Sequence, residues 1–528
     1  MNRRGTFSRR HLGEGLCAVF FAVLCCGFCV ARSACAQGTL PGIDEEDPRR
    51  SIGLTAKECL AIALESNLDI SISKYDPLIS EADVTQAKGE FDPIWSLNFT
   101  ESEEKTPTSA MYQIFGVPVD AIWDKTTLFD TAFEGKAPTG TMYSLNFGSI
   151  RSESTLTELT GGGAEYRGTA DLTLSQPLLK NFGLDVNLAR IRIARNNQDI
   201  SKEQLAQTVM DTAAQVFNAY WDLVFARENV VVVRQSLRNA RDLLEQNKLR
   251  VEVGDAAPFQ VRQAEVGVKR REAALISGIA AVRGAEDMLK LLLDVHDNSA
   301  LWDEAIVPAD KPLMVMRSLG EEVSYATALE KRPELIGGKS AIKNSELAVR
   351  LNRNALLPSI DLQGSYGFNS LEPSFDNEVE YLVRGDDWKF FYGVTGKIPV
   401  GNRLAKGAHL RSRYELEKAQ LTLRKLEQAI RLEVRTAIRE VETNRKLVET
   451  NATATKLQER ALEDEKKRYE VGVSTSYRVL EFEEDLARAR SDEIKALVDY
   501  RKALINLDRA EGMILERYGI EFASAEEP

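Results

Sequence analysis

The chain carries few residues suited to covalent chemistry. Its histidines are His11, His296 and His409, widely separated in 528 residues. A histidine general base or a multi-histidine metal site is therefore improbable. Five of the six cysteines (Cys17, Cys25, Cys26, Cys29 and Cys35) crowd into the first 36 residues, which leaves Cys59 alone in the remainder. One thiol makes no intrachain disulfide, and Cys59 occupies an apolar helical position. Gly337-Gly338-Lys339-Ser340 looks like the end of a phosphate-binding loop. That loop needs a glycine where Pro333 stands and a preceding strand, whereas the flanking pattern here is helical. The balance of 68 basic and 80 acidic residues, net −12, argues against a nucleic-acid binder. No cofactor or metal is expected.

Residues 1–36 read as an export signal. Arg3, Arg4, Arg9 and Arg10 form a positive start, Leu16–Val30 an apolar run too short for a membrane span, and Ala34-Cys35-Ala36 a cleavage site. Ser8-Arg9-Arg10 faintly resembles a twin-arginine signal, but the general export route fits better. Cys26 and Cys35 are the two places for a lipid anchor. Arg32-Ser33-Ala34 before Cys35 lacks the usual bulky apolar residue and disfavours one there. Removing the leader takes away five Arg and one Glu, leaving 63 basic and 79 acidic residues, net −16. No apolar run of eighteen or more residues follows. Such a chain is periplasmic, secreted or an outer-membrane β-barrel.

The rest repeats itself. Ala63-Leu64-Glu65 recurs as Ala328-Leu329-Glu330, and Arg250-Val251-Glu252-Val253-Gly254 as Arg468-Tyr469-Glu470-Val471-Gly472. Each half reads as helix, strands, very long helix, glycine turn, long helix. Neither 187–253 nor 408–471 contains Gly or Pro, and each would extend roughly 100 Å as a helix. Val209, Val216, Leu223, Val230, Leu237, Leu244 and Val251 repeat every seven residues, with Ala219, Ala226, Val233 and Ala240 as a second row. In the other half Val434, Val441, Val448, Leu462 and Tyr469 hold the row, which Thr455 interrupts. Seven-residue seams of small and β-branched residues pack helices closely side by side. An ordinary coiled-coil rod would fit the helices alone.

The strands point elsewhere. Trp95, Leu97 and Phe99 alternate with polar residues, as do Tyr143, Leu145 and Phe147, Leu172 and Leu174, Tyr366 and Phe368, and Trp388, Phe390, Tyr392 and Val394. This is the one-face-apolar pattern of an antiparallel sheet. It suits a soluble β-domain and a membrane barrel equally; so few strands close a barrel only by oligomerising.

In order, spacing and duplication, residues 54–512 resemble the TolC-like outer-membrane efflux proteins. The opening helix from Leu54 to Asn67, Ser175-Gln176-Pro177-Leu178-Leu179 and Arg468–Thr475 followed by Val479-Leu480 carry the likeness. It implies a mainly α fold with β: long antiparallel helical hairpins in a trimeric α-barrel, plus strands of a shared outer-membrane β-barrel. The parts would be a signal peptide (1–36), an N-terminal linker (37–53), a first repeat (54–293; strands about 92–177, tip near 254), an equatorial linker (294–319), a second repeat (320–512; strands about 358–399, tip near 472) and a C-terminal tail (513–528). Residues 104–163 hold an extra hairpin, either an extracellular extension or added barrel strands. The implied partners are two further copies of the chain, outer-membrane lipid, a periplasmic adaptor and an inner-membrane transporter.

A duct needs a lumen, a constriction and a docking edge rather than a nucleophile. The docking edge falls to Val253, Gly254, Asp255, Val471, Gly472 and Val473. The periplasmic entrance falls to Gln260, Tyr469, Arg478, Glu481 and Glu484. Of the positions matching the family's entrance carboxylates (Gln260, Arg478 and Glu481), only Glu481 is acidic, and Ser474 replaces the family's basic gate residue. Glu483, Glu484 and Asp485 could supply a negative ring instead. A periplasmic adaptor is the competing reading, but it has one long hairpin rather than two. A secreted enzyme is disfavoured by the scarcity of histidine.

Overall fold

A computed structural model of the chain describes residues 49–107, 121–159, 162–254, 257–294, 302–317 and 319–520. The leader, Asp255 and His296 lie outside the described residues. Apart from single turns of helix, the elements run as follows. Strand β1 (Ser51–Leu54) precedes helices α1 (Ala56–Ser66), α2 (Leu68–Ser73) and α3 (Tyr75–Lys88). Four strands come next: β2 (Ile94–Pro107), β3 (Ala121–Lys136), β4 (Met142–Ser154) and β5 (Glu165–Pro177). The first long hairpin is α4 (Ala189–Glu252) with α5 (Pro258–Leu293). The second half begins after β6 (Ala305–Pro308), with α6 (Glu321–Lys331), α7 (Pro333–Asn354), β7 (Ser359–Glu372), α8 (Phe375–Arg384) and β8 (Trp388–Lys397). It ends with the hairpin α9 (Arg403–Glu470) and α10 (Ser476–Ala510), then α11 (Ile514–Tyr518).

The long helices form where no breaker interrupts them. α4 has 64 residues and α9 has 68, each about 100 Å at ~1.5 Å per residue. Isolated helices gain little from propensity, so packing of the seam sustains them. Val209, Val216, Leu223, Val230 and Leu237 are all buried. Below Leu237 the buried positions shift to Ala240, Leu243 and Asn247, and Leu244 is only half-buried. A straight helix drifts against a strict seven-residue repeat, and here the seam slips. On α9 the whole row from Val434 to Tyr469 is buried, Thr455 included. The Thr455 hydroxyl meets the carbonyls of Asn451 (3.0 Å) and Ala489 (3.2 Å), so the polar interruption is satisfied inside the hairpin. Gly337-Gly338-Lys339-Ser340 lies within α7, as its pattern predicts.

Two flanking segments read as linker and tail carry structure. β1, at the end of the N-terminal linker, pairs in parallel with β6 of the equatorial linker, Ser51 opposite Ala305. α11, in the C-terminal tail, buries Ile514 in the core built by Cys59, Leu60, Phe217, Tyr220 and Leu293. Both elements are short and gain their stability from partners distant in sequence, which local periodicity does not register.

Ion pairs tie this middle region together. Glu286 and Lys290 are essentially inaccessible and 3.0 Å apart. Arg49 donates to both Glu286 oxygens at 3.2 and 3.1 Å. Lys290 donates to the carbonyls of Trp302 and Glu304, each at 2.6 Å. One buried pair thus fastens the N-terminal segment and the approach to β6 onto α5.

The six remaining strands make one antiparallel sheet in the order β2-β3-β4-β5-β7-β8. Directly opposed residues share a face. One row runs Trp95, Phe133, Leu145, Leu172, Tyr366, Phe390 across all six strands. Its neighbour on the opposite face is mostly polar: Ser96, Ala132, Asn146, Asp171, Gly367, Lys389. The apolar row is exposed, with Trp95 at 72% and Phe390 at 60%. Helix α8, which the strand pattern did not reveal, lies against this face at its far end. Ser149, Gly168 and Ser370, opposed in register, leave room for it.

Glu378 of α8 is buried there and accepts a hydrogen bond from the Ser149 hydroxyl at 2.8 Å, while its Oε1 has no partner. Burial pushes the Glu378 carboxyl above the usual carboxylate range. A raised folded-state pKa favours folding below the unfolded value, and that contribution is lost as pH rises through the folded value. Glu378→Gln should therefore raise the thermal midpoint at neutral pH, with the advantage disappearing on acidification. Thermal scans of both proteins between about pH 4 and 8 check this; a pH-independent difference would contradict it.

Candidate functional site at the helical tips

Both helical hairpins turn on a glycine. Gly254 and Gly472 each adopt φ +80°, a conformation strained for residues bearing a Cβ. The Gly254 N–H bonds the Val251 carbonyl and the Gly472 N–H the Tyr469 carbonyl, each at 3.1 Å; the Val473 N–H closes the turn on Arg468 at 3.0 Å. Pro258 at the first turn of α5 suits a helix start. The caps leave apolar side chains in solvent: Val253, Val471 and Val473 are 78%, 73% and 75% exposed. Neighbouring Phe259 and Tyr477 are exposed too. Each tip thus presents apolar surface that its own chain does not cover.

Just above the tips, the hairpins are bonded to each other. The Tyr469 hydroxyl on α9 donates to Asn247 Oδ1 on α4 at 2.7 Å, with both residues buried. The Arg250 guanidinium stands over the Tyr469 ring, 5.0 Å from its centroid. On the other side, Arg271 of α5 is buried and donates to the Leu480 carbonyl of α10 at 3.0 Å and to Ser236 of α4 at 2.9 Å. Glu483 is buried and paired with Lys466 at 3.0 Å. A cleft of about 610 Å³ opens beside this network, lined by Asp242, Arg250, Lys466, Tyr469 and Glu483 among others. Tyr469 therefore acts as a clasp between hairpins.

The other entrance candidates are less closely joined. Gln260 is half-buried near the first tip, while Arg478 and Glu481 are exposed on α10. Glu484 lies 3.5 Å from Arg270 and 3.6 Å from Arg488, so its charge is largely offset within the chain. Glu481 is the freer carboxylate. Ser474 donates to Glu465 on its own hairpin. Asn247 and Arg271 were not identified from sequence, and Glu483, expected in a negative ring, is instead buried and neutralised by Lys466. Asn247 was within reach: it falls seven residues after Ala240, continuing the Ala219 row with a polar side chain at a seam position. Arg271 likewise interrupts the buried series Ala264, Val268, Leu275.

Tyr469→Phe removes the hydroxyl that satisfies Asn247, whose amide nitrogen is already unpartnered. A stranded buried polar group costs about 1–3 kcal/mol. Hydrogen exchange at the lower ends of α4 and α9 should accelerate accordingly; unchanged exchange would mean that the bond contributes nothing.

Comparison with known proteins places this architecture. The outer membrane efflux protein family matches residues 143–293 and 325–513, more than half of the chain. The chain belongs to that family. Among similar proteins, the outer membrane efflux protein BepC of Brucella suis is 25% identical over 363 residues, covering 68% of this chain and 76% of BepC. The alkaline protease secretion protein AprF of Pseudomonas aeruginosa is 24% identical over 408 residues, covering 73% of this chain and 80% of AprF. The Campylobacter jejuni CmeC outer membrane channel shares the fold, with a TM-score of 0.61 at 16% identity over 89% of this chain and 87% of CmeC. As an outer membrane efflux protein the chain is a transport component and not an enzyme. Among the described residues no helix is long and apolar enough to cross a membrane; the sheet, with its exposed apolar face, is the element suited to lipid.

Proposed function

We propose that three copies of this chain form a continuous duct from periplasm to exterior. The sheets join edge to edge into one outer-membrane barrel, and the paired hairpins form a helical tunnel roughly 100 Å deep. The exposed valines at Val253, Val471 and Val473, with Gly254, Asp255 and Gly472, dock onto a periplasmic adaptor that couples the duct to an inner-membrane transporter. Tyr469 and its partners hold the entrance narrow. Gln260, Arg478, Glu481 and Glu484 surround it, and three copies of Glu481 would favour cations electrostatically. The leader directs export and is removed, with no lipid added.

One observation carries this reading: a single chain joins an apolar-faced sheet with open edges to two long helical hairpins whose apolar tips are uncovered. An adaptor would use one hairpin. Two experiments separate the readings. The mature chain should fractionate with the outer membrane, and photocrosslinkers at the exposed Val253 and Val471 should capture a periplasmic protein that also binds an inner-membrane transporter. Recovery in the inner-membrane or soluble fraction would instead favour the adaptor.

A further inference from the structure

The two halves of the duplicated chain are unequal in the sheet. The second half supplies one hairpin, β7–β8, whereas the first supplies β2 to β5. One hairpin per half would give four strands per chain. The additional pair, β3–β4, is held at both ends. Its turn is fastened at the level where strands become helices: the Gly183 N–H, just before α4, donates to the Thr139 carbonyl at 3.1 Å. Gly140 sits so close beneath Asn181 that an added Cβ would lie 2.3 Å from the Asn181 carbonyl oxygen. At the opposite end, Ser149 of β4 bonds Glu378 of α8, between β7 and β8.

The exposed apolar face also continues across the pair without a break. Phe133 and Leu145 stand in register between Trp95 and Leu172, and Phe147 stands opposite Ala170. Farther from the helices this face turns charged, with Glu101, Lys125, Arg151 and Glu153. The pair thus repeats the profile of β2: apolar near the helices, charged beyond. A hairpin standing wholly above the membrane would gain nothing from exposing Phe133 and Leu145 to water.

We propose that β3–β4 is a third membrane-spanning hairpin, so that each chain supplies six strands to the barrel wall and three chains close it with eighteen. This rests on the trimeric duct described above. The parity fits: with six strands, β8 of one copy and β2 of the next run antiparallel, and both edges carry the apolar row. At ~4.8 Å between strands and ~40° tilt, eighteen strands enclose a backbone diameter of about 36 Å, against about 24 Å for twelve. The cross-section is then more than doubled, which places the narrowest point of the duct at the helical tips and lets bulky cargo cross the membrane segment.

Depth-dependent quenching tests this. Single cysteines (L97C, F133C, L145C, F390C, and S96C and N146C on the opposite face) are labelled with an environment-sensitive fluorophore. The trimers are placed in liposomes whose lipids carry bromine at mid-chain. Cys59 does not compete for label, since it is fully buried and burial pushes its thiol up to about 12. The proposal expects F133C and L145C to lose as much fluorescence as L97C and F390C, with S96C and N146C unaffected. Quenching at L97C and F390C alone would put the hairpin outside the bilayer and overturn the proposal while sparing the duct. Absence of quenching at all four would overturn both. Should either hairpin variant fail to form trimers, a cross-section by electron cryomicroscopy of the unmodified protein, showing eighteen or twelve strands, decides.

Discussion

Replacing Val253, Val471 and Val473 together with aspartate abolishes export while leaving the trimer intact. All three side chains are largely solvent-exposed and make up much of the apolar surface of the tips. Their replacement removes no core contact, and the glycine caps, which depend on backbone geometry, persist. Docking onto a partner would bury nine new carboxylates per trimer, and each unpaired buried charge costs several kcal/mol. Even one such penalty weakens binding by more than about tenfold. The result is read as loss of cargo export from cells in which outer-membrane trimer levels match those of the unmodified protein. Export at normal rates would remove the tips from the docking surface.

Lys290→Ala lowers stability by about 1–3 kcal/mol, the cost of stranding the Trp302 and Glu304 carbonyls, while Glu286 keeps its pairing with Arg49. Glu286 would remain inaccessible, and the Trp302 and Glu304 carbonyls would lose their donor. Arg49 and Arg227 still approach Glu286, but neither reaches those carbonyls among the contacts formed here. Thermal unfolding and trimer yield measure the loss. The double substitution Glu286→Leu with Lys290→Met removes both charges but leaves the same carbonyls and the Ile306 N–H without partners, so it should not recover the loss. A single variant as stable as the unmodified protein would show that the pair is not structural.

The sequence made the helices legible because their cause is local and repeated. Absence of Gly and Pro, rows of seven and twin glycine turns each write the same message many times. Alternation likewise marked Trp95–Phe99 and Trp388–Val394. What escaped depends on contacts between distant residues. β1 finds β6 some 250 residues away, and α11 is held by a core contributed from both halves. β3 was harder still: Asp124, Lys125 and Glu134 dilute its alternation, and only its register against β2 and β4 exposes Phe133 as part of an apolar row. At the tips, the glycines and Tyr469 could be named from the repeat. Asn247 is legible as a polar residue at a seam position, but its role needs its partner, Tyr469, placed 2.7 Å away.

In the proposed duct, the clasped entrance is the narrow point of a conducting path. The most direct measurement is the conductance of the purified mature protein in a planar lipid bilayer, beside that of Tyr469→Phe. Trimers should insert and give small, cation-preferring current steps, with larger steps once the Tyr469 hydroxyl is gone. Trimers that insert without conducting in either form, or a protein that stays monomeric and does not insert, would contradict the proposed duct.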